Sequence, residues 1–320
     1  MKKNSTEARF AVVMPIYEDR EASARLLKEL YAEYGANAYV VVVDDGSIAE
    51  PVTTEGLIDA KLDGAVITLK RNVGHQRAIA VGLSYVADQL PEIECTVVMD
   101  SDGEDIPSSI RTLVEPFQRQ QIDVVVAQRK SRVETFKFKG FYLIYKALFR
   151  LLTGRSISFG NFMALRMSAL KRLVAMQELW THVAGCVLTS KLRVCTLPID
   201  RGPRYAGVSK MNFVGLALHG FRALMVFAED VLVRVGIVCA GVAALTIFCG
   251  VSAIALKLAG FATPGWFSVA MGILLLVFLQ TGALTLMTLM LTGVVRSGAT
   301  NTVDYNFYVS QVAHVKPQET

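Results

Sequence analysis

The sequence predicts an α/β domain built on a mainly parallel sheet flanked by helices, followed by a C-terminal pair of membrane-spanning helices. Three observations predict it. Val-rich apolar runs alternate with stretches of helical spacing over roughly the first 130 residues. Each of these runs ends in polar or charged residues. The chain is also 52% hydrophobic with a mean hydropathy of +0.41, and the excess is concentrated after residue 230.

The elements follow in order. "FAVVMPIY" (Phe10 to Tyr17) reads as a first strand, stopped by polar residues. Residues 19–34 then place Ala22, Leu26, Leu27, Leu30 and Tyr31 at helical spacing. "AYVVVVDDGS" is a β-branched run ending in Asp44 and Asp45, and "AVITLKRN" is a third strand. A helix is expected over 74–89, a fourth strand in "CTVVMDSD", a helix over 107–120 and a fifth strand in "DVVVAQRK". Continuous apolar strands separated by helices imply a sheet covered on both faces. Ligands of such sheets bind beyond the carboxyl ends of the strands. The chain puts Tyr17-Glu18, Asp44-Asp45, Arg71-Asn72, Asp100-Ser101-Asp102 and Arg129-Lys130 there, which describes one site.

No charged residue occurs from Val235 to Leu256 or from Leu258 to Val295. About 20 apolar residues span a bilayer core, so two spans are expected near 233–257 and 266–293. Pro264 and Gly265 break the chain between them, and Trp266 suits an interface. The spans carry Gly236, Gly241, Gly250, Gly272, Gly282 and Gly293, which favour close helix packing in lipid and allow self-association. Arg222, Arg234 and Arg296 flank the pair on one side, so both termini are expected in the cytoplasm, at a membrane such as the bacterial inner membrane. "MKKNSTEARF" shows no signal peptide, leading straight into the first strand. The expected organisation is a cytoplasmic domain over 1–212, a juxtamembrane helix over 213–230, two spans within 231–296 and a cytoplasmic tail over 297–320. Residues 136–155 and 213–230 mix apolar, aromatic and basic residues at helical spacing, as headgroup-level helices do. The five cysteines show no metal or redox spacing and are expected to pack, consistent with a reducing compartment. The net charge of +5 is modest and gathers next to the spans, pointing to anionic lipid and not to nucleic acid.

The acidic burst "VVMDSDGED" allows two readings. Residues two apart in an extended segment point to one side, so Asp100 and Asp102 can converge on a hard cation such as Mg²⁺ or Mn²⁺, with Asp105 approaching from the following turn. Alternatively the acids form a turn that starts the next helix, with Asp105 as its N-cap. An EF-hand is excluded, because Asp105 falls where glycine is required and Arg111 where the bidentate Glu belongs. A dinucleotide fingerprint is absent after the first strand. "GPRYAGVSK" mimics a Walker A loop but has Val208 at the lysine position.

Taken together, "MPIYED", "VVVDDGS", "LKRNVGHQRAI", "VVMDSDGEDIP" and "RGPRYAGVSKM" resemble the family 2 glycosyltransferases with a GT-A fold. The membrane-anchored branch that makes polyprenyl-phosphate-linked sugars is similar in layout, including dolichyl-phosphate mannose synthases and GtrB-like enzymes. The resemblance implies that Pro15, Tyr17, Glu18, Asp44 and Asp45 line the base and ribose pocket of a nucleotide-sugar. It places Arg71, Asn72 and Gly74 near the base and diphosphate, with Arg129 also on the donor side. Asp100 and Ser101 would face the ribose or sugar, and Asp102, with Asp100, would hold Mg²⁺ or Mn²⁺ on the diphosphate. Arg201, Arg204, Ser209 and Lys210 would neutralise phosphate charge, through forks and a point charge respectively. The implied activity is inverting, metal-dependent transfer of one sugar from a UDP- or GDP-linked donor to polyprenyl phosphate.

Two departures bear on the acceptor. The processive family members' Gln-x-x-Arg-Trp is replaced by "QELW", which favours single transfer. The branch's Gly-Asp-Phe-Arg is replaced by "GNFMALR". A phosphate acceptor attacks without a base, whereas a lipid hydroxyl, as in diacylglycerol or ceramide, needs one. Glu178 and His182 are the candidate bases for that case, His182 being expected rather as a structural histidine. A non-catalytic nucleotide-sugar-binding membrane subunit is the remaining reading.

Overall fold

The computed structural model describes residues 10–119, 121–129, 146–156, 159–205, 213–261, 263, 265–298 and 303–316. They form two compact units. The first holds an eight-stranded sheet: β1 Phe10–Ile16, β2 Ala38–Asp44, β3 Asp63–Leu69, β4 Cys95–Val98, β5 Val124–Arg129, β6 Met163–Arg166, β7 Val194–Ile199 and β8 Val309–Val315. Their order is β7-β5-β6-β4-β1-β2-β3-β8. Strands β4, β1, β2 and β3 run parallel, as do β5 and β7. Antiparallel pairing joins β6 to both β4 and β5, and β8 to β3. The sheet is therefore mixed around a parallel centre.

Helices cover both faces. On one, α1 (Arg20–Tyr34), α2 (Glu55–Asp59) and α4 (Ser109–Val114) bury Leu26, Leu27, Leu57 and Leu113 against alternate strand residues such as Val12, Val40 and Val97. On the other, α3 (His75–Gln89), α7 (Met167–Val174) and α8 (Val183–Thr189) bury Ile79, Leu83, Leu170 and Val187 against Val13, Val41 and Val98. Burial of alternate residues on opposite faces is the period-two geometry of a strand covered twice. The helix expected over 107–120 is two pieces, α4 and α5 (Pro116–Arg119), since Pro116 lacks the N–H that a continuous helix needs. Helix α9 (Phe213–Val226) also belongs to this unit.

The second unit contains helical residues 146–153 (α6), α10 (Ala228–Leu258) and α11 (Trp266–Gly298). Residues 136–145 of the expected interface helix lie outside the described residues. Helices α10 and α11 are long and apolar enough to cross a membrane, with mean hydropathies of 2.4 and 2.1 over their most apolar 18 residues. Few of their side chains are covered by protein: Thr246, Gly250, Ala253 and Thr288 are among the buried ones, while Ile237, Phe248, Leu279 and Leu289 are exposed. Apolar surface of this kind on long helices suits a lipid surround. The expected juxtamembrane helix over 213–230 ends at Val226, and Phe227 separates it from α10.

The tail is not a free extension. Residues 309–315 lie antiparallel along β3, with Gly64 opposite Val315 and Thr68 opposite Gln311. Just before them Tyr308 stacks on Trp180 at 5.6 Å, and Tyr305 donates to Asp88 at 2.9 Å. The Lys70 Nζ donates to the Phe307 carbonyl at 2.8 Å. Ending the chain before residue 303 is expected to cost about 2–4 kcal/mol, the sum of several cross-strand pairs, and to uncover β3 as an edge. Thermal unfolding of the truncated protein in detergent checks this; an unchanged midpoint would show that the strand contributes nothing.

Candidate active site

Three loops at the carboxyl ends of β1, β2 and β3 are tied to each other by carboxylates. The Glu18 side chain accepts from the backbone N–H groups of Ile48, Ala49 and Glu50 at 2.6, 3.1 and 2.7 Å. Glu18 itself has φ of 48°, and its N–H donates to Ser47 Oγ. Asp44 is buried and accepts from the N–H groups of Ser47 and Val52. Asp45, also buried, accepts from Val73 and Gly74 N–H at 2.7 and 3.0 Å. Burial pushes the Asp45 carboxyl up, against the pull of those two N–H groups. Pro15 is buried inside β1, while Tyr17 is 45% exposed and Arg71 and Asn72 are exposed. The described contacts of Glu18, Asp44 and Asp45 thus shape the pocket's loops, leaving Tyr17, Arg71 and Asn72 at its surface. Gly46 permits the crossing of two of these loops: its φ is 72°, and a Cβ there would stand 2.5 Å from the Arg71 carbonyl carbon.

Asp100 to Asp105 form a turn after β4 whose acids have separate duties. The Asp100 N–H donates to Asp105 Oδ2 at 2.9 Å, and Asp100 Oδ1 lies 3.2 Å from His75 Nε2. Asp102 Oδ1 accepts from Glu104 N–H at 2.9 Å, while its Oδ2 pairs with Arg204 at 2.7 Å. Glu104 pairs with Arg201 and approaches Arg204 at 3.7 Å. Burial raises the Asp102 carboxyl above its ordinary range, opposed by the Glu104 N–H and by Arg204. Asp105 is 5% exposed; burial and then the Asp100 charge push its carboxyl up to about 8. The expectation that Glu104 and Asp105 start the next helix is corrected here. Ser108 occupies the position before α4, and Asp105 turns inward to hold the Asp100 backbone. Ser101 is buried beside it.

The "RGPRY" segment docks on this turn through backbone as well as side chains. Gly202 N–H donates to the Glu104 carbonyl and Tyr205 N–H to the Asp102 carbonyl, both at 3.0 Å. Gly103, with φ of 85°, admits the Tyr205 ring, which a Cβ would meet at 2.5 Å. A cleft beside the turn is lined by Asp100, Asp105, Asn161, Phe162, Asp200 and Arg201. Asn161 reaches His75 Nε2 at 3.1 Å and accepts from Gln76 Nε2 at 3.3 Å.

Of the remaining expected residues, Ser209 and Lys210 lie outside the described residues, and Arg129 ends β5. Glu178 sits in the turn Gln177–Trp180; among the described residues no hydrogen bond or ion pair joins its carboxylate to the acidic turn. His182 is buried before α8 and accepts from Gly185 N–H at 3.0 Å, as a structural histidine should. Arg166 of "GNFMALR" is consumed by the Ile122 and Phe117 carbonyls.

The donor set suits a divalent ion that a ligand completes. Among the described residues no group of three His, Cys, Asp or Glu side chains is gathered to hold a metal alone. Mg²⁺ commonly takes one or two carboxylates, with substrate phosphates and water filling the rest. Asp100 and Asp102 supply that number at one strand end, and the outer oxygen of Asp102 already attracts the Arg204 cation.

Residues 11–174 match the family described as Glycosyl transferase family 2. An undecaprenyl-phosphate 4-deoxy-4-formamido-L-arabinose transferase of Shewanella sediminis is 24% identical over 264 residues, 81% of this chain and 78% of that one. A dodecaprenyl-phosphate galacturonate synthase of Rhizobium johnstonii is 26% identical over 222 residues, 62% and 61% of the two chains. Across these and two further curated relatives the matched stretch spans 61 to 78% of the relative's length, less than two thirds in two cases. In fold, the chain is similar to glucosyl-3-phosphoglycerate synthase of Mycobacterium tuberculosis, crystallised with Mn²⁺, UDP and phosphoglyceric acid. The TM-score is 0.51 at 13% identity, covering 70% of this chain and 78% of that one.

Proposed function

The chain belongs to glycosyl transferase family 2, and from that premise we propose that it moves one sugar from a nucleotide donor to polyprenyl phosphate, inverting the anomeric carbon, at the cytoplasmic leaflet. The observation that carries this reading is the pairing of Asp102 with Arg204, and of Glu104 with Arg201, at the end of β4. Acids that hold a cation and arginines that neutralise phosphate meet there, beside loops built by Glu18, Asp44 and Asp45. The nucleotide lies across Tyr17 and Arg71-Asn72, with its diphosphate directed to Asp100 and Asp102. A bound Mg²⁺ or Mn²⁺ supplies charge neutralisation to the departing diphosphate. Arg201 and Arg204, released from the acids, bind the phosphate oxygens where negative charge grows. A phosphate oxygen of the acceptor attacks the anomeric carbon as the bond to the diphosphate breaks, and the nucleoside diphosphate leaves with the electron pair.

The phosphate acceptor is supported over a hydroxyl by the relatives named for polyprenyl phosphates. The two apolar helices and the exposed face of α9 support a membrane acceptor. Labelled UDP- and GDP-sugars incubated with the purified chain and undecaprenyl phosphate, diacylglycerol or ceramide, with lipids analysed by mass, test it. The expected product is a single hexosyl unit on the phosphate, unaffected by Glu178→Gln. Transfer to a hydroxyl that Glu178→Gln abolishes would overturn the phosphate reading.

A further inference from the structure

Helix α9 has two unlike sides. Gly220 and Ala223 are buried on the domain, and Val226 lies where a Cβ on Gly185 would meet it at 3.1 Å, which fixes the helix against α8. Leu218, Phe221 and Met225, spaced by three and four residues, are 52, 63 and 66% exposed. This apolar stripe lies on a helix separated in sequence from the apolar helix α10 only by Phe227. Arg222 is exposed within the same stretch, and its guanidinium Nη1 is 3.9 Å from the position a Cβ on Gly74 would take. Gly74 directly precedes His75, the side chain that contacts Asp100. Among the described residues no carboxylate pairs with Arg222, whereas Arg201, Arg204 and Arg193 each have one.

We propose that Arg222 binds the phosphate of the lipid acceptor, holding it beside Gly74 at the edge of the Asp100 turn; this rests on the phosphate-acceptor reading above. The juxtaposition is one a soluble donor does not require: a cation on a helix with a lipid-type face, reaching the catalytic end of the sheet. Arginine's planar fork matches a terminal phosphate, and the apolar stripe covers the first isoprene units of the same molecule. Arg222 also offers a cation where the sequence "GNFMALR" commits its own arginine to backbone carbonyls.

The test uses the full chain in nanodiscs and compares binding of undecaprenyl phosphate with undecaprenol, without donor. The wild type is expected to prefer the phosphate by about tenfold or more, the weight of charge-assisted hydrogen bonds. Arg222→Ala removes most of that preference and Arg222→Lys restores part of it, while the donor KM stays within about twofold, well under the tenfold of a lost charge-assisted bond. An unchanged preference in Arg222→Ala, or an equal loss of donor affinity, overturns the assignment while leaving the phosphate acceptor intact. Lack of any preference in the wild type overturns both.

Discussion

Asp102→Asn lowers sugar transfer by at least about a thousandfold, the scale of losing a metal-organised charge at the leaving group. The substitution is mild for the fold. The amide oxygen still accepts from Glu104 N–H, the bond that shapes the turn. Burial disfavours the charged form of Asp102, so a neutral side chain relieves a desolvation cost while giving up the Arg204 ion pair. Arg204 keeps Glu104 nearby at 3.7 Å. Thermal stability should therefore be close to wild type. Single-turnover transfer, the melting profile and Mn²⁺ affinity followed by electron paramagnetic resonance check the three parts. Full turnover in the variant would remove Asp102 from the chemistry.

Gly46→Ala is expected to lower stability by about 2–4 kcal/mol, with a donor KM raised by about tenfold or more. Its φ of 72° suits glycine and strains alanine. The added methyl would also stand 2.5 and 2.6 Å from backbone atoms of Arg71 and Asn72. Backbone cannot rotate away as a side-chain tip can, so one loop must move. That movement pulls Val73 and Gly74 off Asp45, leaving a buried carboxylate without its donors. Equilibrium unfolding and nucleotide titration measure the two effects. A stable variant with wild-type donor affinity would show that the 46/71 crossing is not required.

The parallel core was legible because its strands are continuous β-branched runs, and the hairpin because charge is absent for more than two membrane thicknesses. Strand β6 was not, being four residues long and set antiparallel between β4 and β5. Strand β8, V-S-Q-V-A-H-V, spaces its valines three apart and so shows no period-two signal, and it follows an apolar pair of helices that invites reading the end of the chain as a tail. At the site, position was legible and duty was not. Asp44, Asp45, Glu18 and Asp102 all stand at strand ends, and spacing cannot tell a carboxylate aimed at a ligand from one holding neighbouring N–H groups. Asp105 shows the same limit. An acid shortly before a proline reads as a helix cap, yet here it faces inward and supports Asp100. Arg222 was visible only as a flanking charge, since its approach to Gly74 depends on how α9 folds back on α8.

Strand β8 also gives the domain a timetable. About 240 residues separate Leu69 from Val309, and both apolar helices lie between them. At typical ribosome speeds, roughly ten seconds to a minute pass between the emergence of β3 and that of its outer partner. During that interval β3 is an open edge, with unpaired N–H and C=O groups available to other chains. The sheet closes only when both apolar helices and the residues after them have been made. Completion of this domain therefore waits on synthesis of both apolar helices, a delay written into the order of the strands.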